Sequence, residues 1–436
     1  MLLYQLRLAL KSIRRNPVLS TVMVLGIALG IAVSMSFVSA YYIISGDPIP
    51  HKSDKLFYVQ LDSWNPDNPF SDDDPTEPPN QLTYMDAMAL MESDIPTHHT
   101  AMHKTVMVVH PPNDSVQPTR HQIRMCFSDF FALFDVAFDF GGPWDAAADK
   151  GPEPVIVLSA ETNEELFGGE NSVGRSLRVE DQEFKVVGVL APWHPTPKFY
   201  DPHNGAFDSV EPVFMPLHWA REMQIVNAGN TSGWKPYDNS YEGKLRSEAV
   251  WLQFWAQLDT EGQKERYAQF LTGYAEEQRA GGRFQRPNNH RLRDVNAWLE
   301  YWGVVDPSQR AMVIIALLFL LVCAVNLIGI LLGKFLSRAS EVGVRRALGA
   351  SRMWIFSLHL VECAVIGIAG SVIGLLLSLA GISYIQRLFG VRLENPLDLT
   401  MLSVGIGLSL LAALVAGIYP AWRICRIAPG MHLKTQ

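Results

Sequence analysis

The 436-residue chain has no GxxxxGK(S/T) loop, the backbone cradle that P-loop proteins wrap around a nucleotide phosphate. Its nearest approach, Gly329, Gly333 and Lys334, has the wrong spacing and closes an apolar run. These residues therefore encode no P-loop ATPase. Cysteine is scarce. There are four, and only Cys126 falls between residues 46 and 309, so that stretch has no internal disulfide. Ser159 stands in Leu-Ser-Ala and not in a nucleophile elbow, and the acidic residues are scattered, so no catalytic constellation is expected. No metal motif is complete. His98-His99 with His103 give an i,i+4 pair on a helix started by Pro96, but no nearby Cys or carboxylate finishes a tetrahedral set. Asp72-Asp73-Asp74 sits in a Pro-rich stretch that reads as a solvated loop rather than a calcium loop.

What is present is long apolar sequence. Four runs, Val18–Ile44, Ala311–Leu332, Ile355–Ile385 and Leu399–Ala421, reach the roughly 20 residues a bilayer-spanning helix needs. Charge is segregated around them. Residues 46–309 hold 21 Lys and Arg against 40 Asp and Glu, a balance of −19, whereas the remainder holds 15 against 4, a balance of +11. A strongly acidic central domain argues against nucleic acid as a partner. Basic residues gather at Arg7, Lys11, Arg14 and Arg15, between the second and third runs, and at Arg423, Arg426 and Lys434. The positive-inside rule puts all three on the cytoplasmic side and residues 46–309, with the turn near Gln386–Pro396, outside. Tyr41, Tyr42, Trp298, Tyr301, Trp302, Tyr384 and Phe389 are expected to mark one membrane interface, and Trp354, Tyr419 and Trp422 the other.

The expected fold class is thus a membrane protein of four transmembrane α-helices, with a large α+β extracytoplasmic domain inserted between spans 1 and 2. Residues 1–17 read as an amphipathic elbow helix, Leu3, Leu6, Leu10 and Ile13 on one face and the basic residues on the other. The apolar run that follows is about twice the length of a signal-peptide core, so it reads as an uncleaved anchor despite Val38-Ser39-Ala40. The predicted plan is span 1 at 18–44, the outer domain at 45–309, span 2 at 310–333, a cytoplasmic loop at 334–353, span 3 at 354–385, span 4 at 398–421 and a cytoplasmic tail at 422–436. Gly26 with Gly30, Gly329 with Gly333 and Gly370 with Gly374 form GxxxG pairs, which favour close helix packing or a dimer interface. Among intramembrane polar groups, His359 and Glu362 are expected to lie near the interface and to pair or snorkel there, and Asn326 to bond across helices. Within the outer domain, strands are expected at Leu56–Leu61, Val106–His110, Val155–Leu158, Ser176–Val179, Phe184–Leu190 and Trp251–Leu258. Helices are expected at Leu82–Met91, Ala160–Phe167 and Gln263–Ala280.

The loop between spans 2 and 3, Ser337–Arg352, reads SRASEVGVRRALGASR. A connector needs only to be polar, but this one has helical grammar. Glu341 and Arg345 stand i,i+4 in the favourable order; Val342, Val344, Ala347 and Leu348 are expected to give it an apolar side; Gly349 is a stop. The run Arg338 to Ser351 resembles the coupling motif of the MacB/FtsX family of ABC-transporter permeases. Two further stretches are similar to that family. One is Pro154–Ala191, with its Leu-Phe-Gly, its Val173-Gly174-Arg175 turn and its Val187-Gly188-Val189-Leu190 strand. The other is the tail from Gly417, where Pro420 and Arg423 match but Met431-His432 depart from the usual pair.

The resemblance implies that Arg338, Glu341, Val342, Gly343, Val344, Arg345, Arg346, Ala347, Leu348 and Gly349 dock onto an ATPase subunit. It also implies a split outer domain with a subdomain inserted at roughly 120–250. The partners it implies are a separate ABC ATPase, which uses ATP and Mg while this chain binds no cofactor, and a second permease in a homodimer or paralogous heterodimer. Membrane lipids are a further partner, and a periplasmic adaptor and outer-membrane channel are additional candidates. The implied activity is mechanotransmission from the bacterial inner membrane, for export or efflux, without enzymatic action by this chain. Two alternatives fit the same pattern: extraction of lipoproteins, and FtsX-like signalling to cell-envelope enzymes without transport.

Overall fold

The structure is a computed structural model and describes residues 2–112, 117–238, 240–304, 307–389 and 399–426. It separates into two compact units, residues 1–46 with 305–436, and residues 47–304. The second boundary falls a few residues inside the expected 45–309.

The first unit holds four helices long and apolar enough to cross a membrane. Span 1 is Pro17–Ile44, span 2 Pro307–Leu336, span 3 Arg352–Phe389 and span 4 Leu399–Cys425. Each differs slightly from the apolar run that predicted it, because backbone hydrogen bonding continues into polar flanks that hydropathy leaves out. Gln386–Phe389 is accordingly helix and not turn. The rest of the expected turn, residues 390–396, lies outside the described residues, as do residues 427–436 with Met431, His432 and Lys434.

The elbow helix, Leu2–Arg15, ends where expected, at Asn16-Pro17. Its orientation runs against the simplest reading of amphipathicity. Leu3, Leu6 and Leu10 are exposed, while the polar Gln5 and the small Ala9 are buried. Gln5 Nε2 donates to Ser357 Oγ of span 3 at 2.8 Å. The helix thus shows leucines outward, which suits lipid, and uses polar groups to hold the bundle.

The outer unit is organised on one sheet. Its strands are β1 (Leu56–Gln60), β2 (Leu82–Thr83), β3 (His99–His110), β4 (Thr119–Cys126), β5 (Phe138–Gly141), β6 (Val155–Leu158), β7 (Ser176–Val179), β8 (Gln182–Leu190), β9 (Val213–Pro216), β10 (Val250–Gln257) and β11 (Arg291–Asp294). The order is β11-β1-β10-β3-β4-β9-β6-β8-β5, with β2 on β10 and β7 on β3 and β8. Strand β3 carries the architecture. Residues 99–102 pair with β10, and 103–109 pair with β4. Strands β4 to β9 therefore hang on the far half of β3 and return to the near half at β10, so the sheet runs through the expected insertion without a break. Both faces are covered. Along β1, Phe57 and Val59 enter one core, while Leu56 and Tyr58 enter the other. That two-sided burial explains why β1 and β10 lack the polar alternation of a half-exposed strand.

Local signals hold where the chemistry is short-range. Ser159 caps Ala160–Phe167 by accepting from Thr162 N, and Gly168, at φ +67°, ends it in the left-handed region. Thr260 and Gln263 form a reciprocal capping box at the head of Glu261–Ala280. Two expectations for this unit fail. The stretch after Pro96 is strand β3 and not helix, so four residues separate His99 from His103 by about 13 Å rather than one helical turn. Among the described residues no group of three or more His, Cys, Asp or Glu could hold a metal. Trp298 is not an interface aromatic: it is 1 % exposed and stacks on Tyr58 with ring centroids 3.6 Å apart, and Tyr301 stacks on it in turn. The Phe389 side chain lies outside the described residues.

A buried ion network ties β4 to the segment before β9 and to β10. Arg124 bonds Asp201 and Glu211, both at 2.5 Å; Lys198 meets Glu211 at 3.3 Å; Gln253 bonds both Arg124 and Asp201. Burial alone would push Glu211 up, but Arg124 and Lys198 outweigh it and hold the carboxyl well below its ordinary range. Nearby, His103 is buried edge-on to Trp251, and that burial, with Arg124 and Lys244 close by, pushes its pKa down to about 3. An unfolded histidine takes a proton below about 6.5, whereas this one stays neutral until about 3. The outer unit is therefore expected to lose stability as pH falls from 6.5 toward 3, by up to about 1.4 kcal/mol per pH unit from His103. Glu211 adds to the loss below its ordinary pKa. Tryptophan-fluorescence unfolding of the detergent-solubilised chain at a series of pH values measures this. His103→Gln should flatten the upper part of the slope, and an unchanged slope would rule the histidine out.

Candidate functional site

The segment between spans 2 and 3 folds as a helix, Ala339–Ala347, with Gly349 at φ +99° just beyond it. Its apolar residues do not share one side. Ala339 and Val342 point into the first unit and are 6 % and 7 % exposed. Val344, Ala347 and Leu348 point out, and Leu348 is 83 % exposed. A helix turns 100° per residue, so Val342 and Val344 are about 200° apart and must part company. Gly343 and Gly349 flank the outward group, half-exposed and exposed.

The charged residues mostly fasten this helix to the rest of its unit. Glu341 accepts from Arg345 Nη2 at 2.6 Å and lies 3.6 Å from Arg15 of the elbow helix. Arg338 donates through Nη2 to the Ser12 carbonyl at 3.0 Å and through Nη1 to the Ser12 hydroxyl. Arg346 Nη1 reaches the Cys425 carbonyl at the end of span 4 at 3.3 Å. Glu341 is the lone acid of the segment and one of the residues that the resemblance assigns to docking. Both of its oxygens are engaged within the chain.

Beneath this helix lies an ion pair that the spacing does not reveal. Lys334, at the end of span 2, meets Glu362 of span 3 at 2.6 Å, with side chains 0 % and 5 % exposed. Ser12 donates to the same Glu362 oxygen at 2.5 Å, and Lys334 also donates to Ser20 of span 1. Spans 1, 2 and 3 and the elbow helix thus meet at one buried polar point. His359, one turn earlier, does not pair with Glu362. Its Nδ1 contacts the Ile355 carbonyl, and its ring stands edge-on to Phe335 at 4.4 Å. By sequence position alone Lys334 belongs with the loop charges. Its relation to Glu362 needs the two spans side by side, which no local pattern encodes.

The glycines divide likewise. A Cβ on Gly30 would stand 2.8 Å from Leu320, one on Gly370 2.7 Å from Ile27, and one on Gly374 2.8 Å from the Ala28 carbonyl, so these three mark close helix contacts. Gly26, Gly329 and Gly333 have open space around them. Gly367 and Gly417, which belong to none of the three GxxxG pairs, sit tight between spans 3 and 4 against Ala413 and Cys363. Asn326 makes no cross-helix bond of the expected kind: it is exposed on the outer face of span 2.

Four spans, a large α+β domain between the first two and a basic helix bridging the second and third describe a multi-pass membrane protein. The family described as MacB-like periplasmic core domain matches residues 20–261, and that described as FtsX-like permease C-terminal matches residues 313–429. The chain belongs to this MacB/FtsX permease family. It is similar to the macrolide export ATP-binding/permease protein MacB of Syntrophobacter fumaroxidans, at 24 % identity over 312 residues, covering 65 % of this chain and 43 % of that protein. It is also similar to the MacB protein of Escherichia coli O6:K15:H31, at 23 % identity over 437 residues, covering 97 % of this chain and 59 % of that one. The chain thus spans about two fifths to three fifths of the length of these relatives. Among solved structures, the periplasmic region of MacB from Actinobacillus actinomycetemcomitans aligns at 12 % identity and a TM-score of 0.37, covering 58 % of this chain and 94 % of that one.

Proposed function

We propose that this chain is the non-hydrolysing half of a mechanotransmitting exporter. The basic ends and the helix Ala339–Ala347 lie in the cytoplasm, as the Lys and Arg asymmetry favours. An ATPase subunit on a separate polypeptide docks on the outward Val344, Ala347 and Leu348. Its closure on ATP and Mg pushes this helix. The push passes to spans 2 and 3, to which the helix is joined at either end, and is delivered to the outer domain of a permease dimer. Export then proceeds from the periplasmic side, with an adaptor and outer-membrane channel as candidate collaborators.

The observation that carries this reading is the two-sidedness of the bridging helix. Its inner side is pinned to the elbow helix and span 4 through Arg338, Glu341 and Arg346, while an apolar knob is left outside. A helix merely obeying charge topology needs neither. Purified alone, the chain is expected to release no phosphate from ATP. With its cognate ATPase, it should co-purify and change that subunit's turnover. Hydrolysis persisting after every co-purifying ATPase is removed would overturn the division of labour.

A further inference from the structure

A cavity of about 180 Å³ opens between the elbow helix, the helix Ala339–Ala347 and the base of span 3. Leu8, Ile355 and Leu358 give it an apolar wall, and Lys11, Arg15, Arg338 and Arg345 contribute cationic groups. Two carboxylates also line it, but both are already occupied. Glu341 is shared by Arg15 and Arg345, and Glu362 is held by Lys334 and Ser12. Lys11 and Arg338 therefore have no carboxylate partner among the described residues. Arg338 is oriented by the hydroxyl and carbonyl of Ser12, which fix its direction without neutralising it. The wall of the cavity also has a membrane address. The exposed Leu3, Leu6 and Leu10 of the elbow helix require acyl chains around them, which sets this helix at headgroup depth.

We propose that this cavity binds the phosphate of an anionic phospholipid between Lys11 and Arg338. An apolar wall beside unneutralised cations suits a molecule that is charged at one end and apolar at the other. A zwitterionic lipid brings its own cation into a site that already has an excess of them, so an anionic headgroup is favoured. The bound lipid joins the elbow helix to the bridging helix and acts as a removable brace on the element that receives the ATPase. The binding itself rests on the membrane assignment alone. The bracing role rests on the docking reading above, and the test below reads binding without any ATPase present.

The test is native mass spectrometry of the full chain released from detergent, titrated with phosphatidylglycerol or with phosphatidylcholine. Phosphatidylglycerol is expected to be retained in preference. Lys11→Gln removes an exposed side chain with little risk to the fold and is expected to weaken that retention about tenfold or more, the loss of a hydrogen bond to a charged group, against about fivefold for a basic residue that only adds to the surface potential. Arg7→Gln and Arg14→Gln, with the same charge change on the same helix but outside the cavity, should weaken it less than Lys11→Gln does. Equal losses in all three variants would mean diffuse attraction and would overturn the site. So would equal retention of the two lipids. Inorganic phosphate in excess should leave phosphatidylglycerol bound; full displacement would assign the cavity to a free phosphate instead of a lipid.

Discussion

A Val344→Asp, Leu348→Asp double variant is expected to accumulate in the membrane at the normal level and to lose its ATPase subunit. Both side chains are exposed, so their replacement leaves the packing of the unit intact, and surface changes of this kind usually alter stability by no more than about 0.5 kcal/mol. At a docking interface the same change is large. A carboxylate forced into an apolar contact must be desolvated without a partner, and central interface residues commonly carry about 2 kcal/mol or more each. The expected loss is at least about thirtyfold in affinity, enough to abolish co-purification. Glu341→Lys makes an instructive contrast. Because the resemblance assigns Glu341 to docking, this change would be expected to act on the partner directly. In the structure it places a third cation beside Arg15 and Arg345, so it should loosen the bridging helix from the elbow helix first and affect docking through that.

Removing either member of the Lys334–Glu362 pair is expected to damage the transmembrane unit far more than any change on its exposed faces. Both side chains are almost fully enclosed, 2.6 Å apart, and share Ser12 and Ser20 as further partners. Lys334→Met leaves an uncompensated carboxylate, and Glu362→Leu an uncompensated ammonium. Breaking a buried pair from one side typically costs about 3–5 kcal/mol. The double variant Lys334→Met, Glu362→Leu removes both charges and should recover much of the loss, because an apolar pair of similar volume is often tolerated. Thermal aggregation in detergent, with membrane abundance, measures all three. Single variants as stable as the parent would mean that water or lipid reaches the pair.

The contrast between these two predictions shows what can be read without a structure. The bridging helix is legible because its evidence is local: an i,i+4 ion pair, a stop glycine, and apolar residues within about ten positions. So are the Ser159 cap, the Gly168 stop and the four spans. The Lys334–Glu362 pair is not, since it depends on which faces of spans 2 and 3 meet. The Arg124 network is invisible for the same reason, as Arg124, Asp201 and Glu211 are ordinary charged residues until β4 and the segment before β9 are brought together. Trp298 and the histidines around His99 mislead because residue type is read without its partner: a tryptophan near a span looks interfacial, and an i,i+4 spacing looks helical. Even within the bridging helix, the division between inward Val342 and outward Val344 follows from helix geometry only once an inner side exists.

The most direct test of the docking account is site-specific photo-crosslinking from the bridging helix in membranes that hold the ATPase subunit. A crosslinking residue at position 348 is expected to capture that subunit, with a yield that changes on adding ATP, while one at position 342 should react only within the chain. Capture from 342 and not from 348, or no capture from 348 in a complex whose ATPase is still coupled, would contradict it.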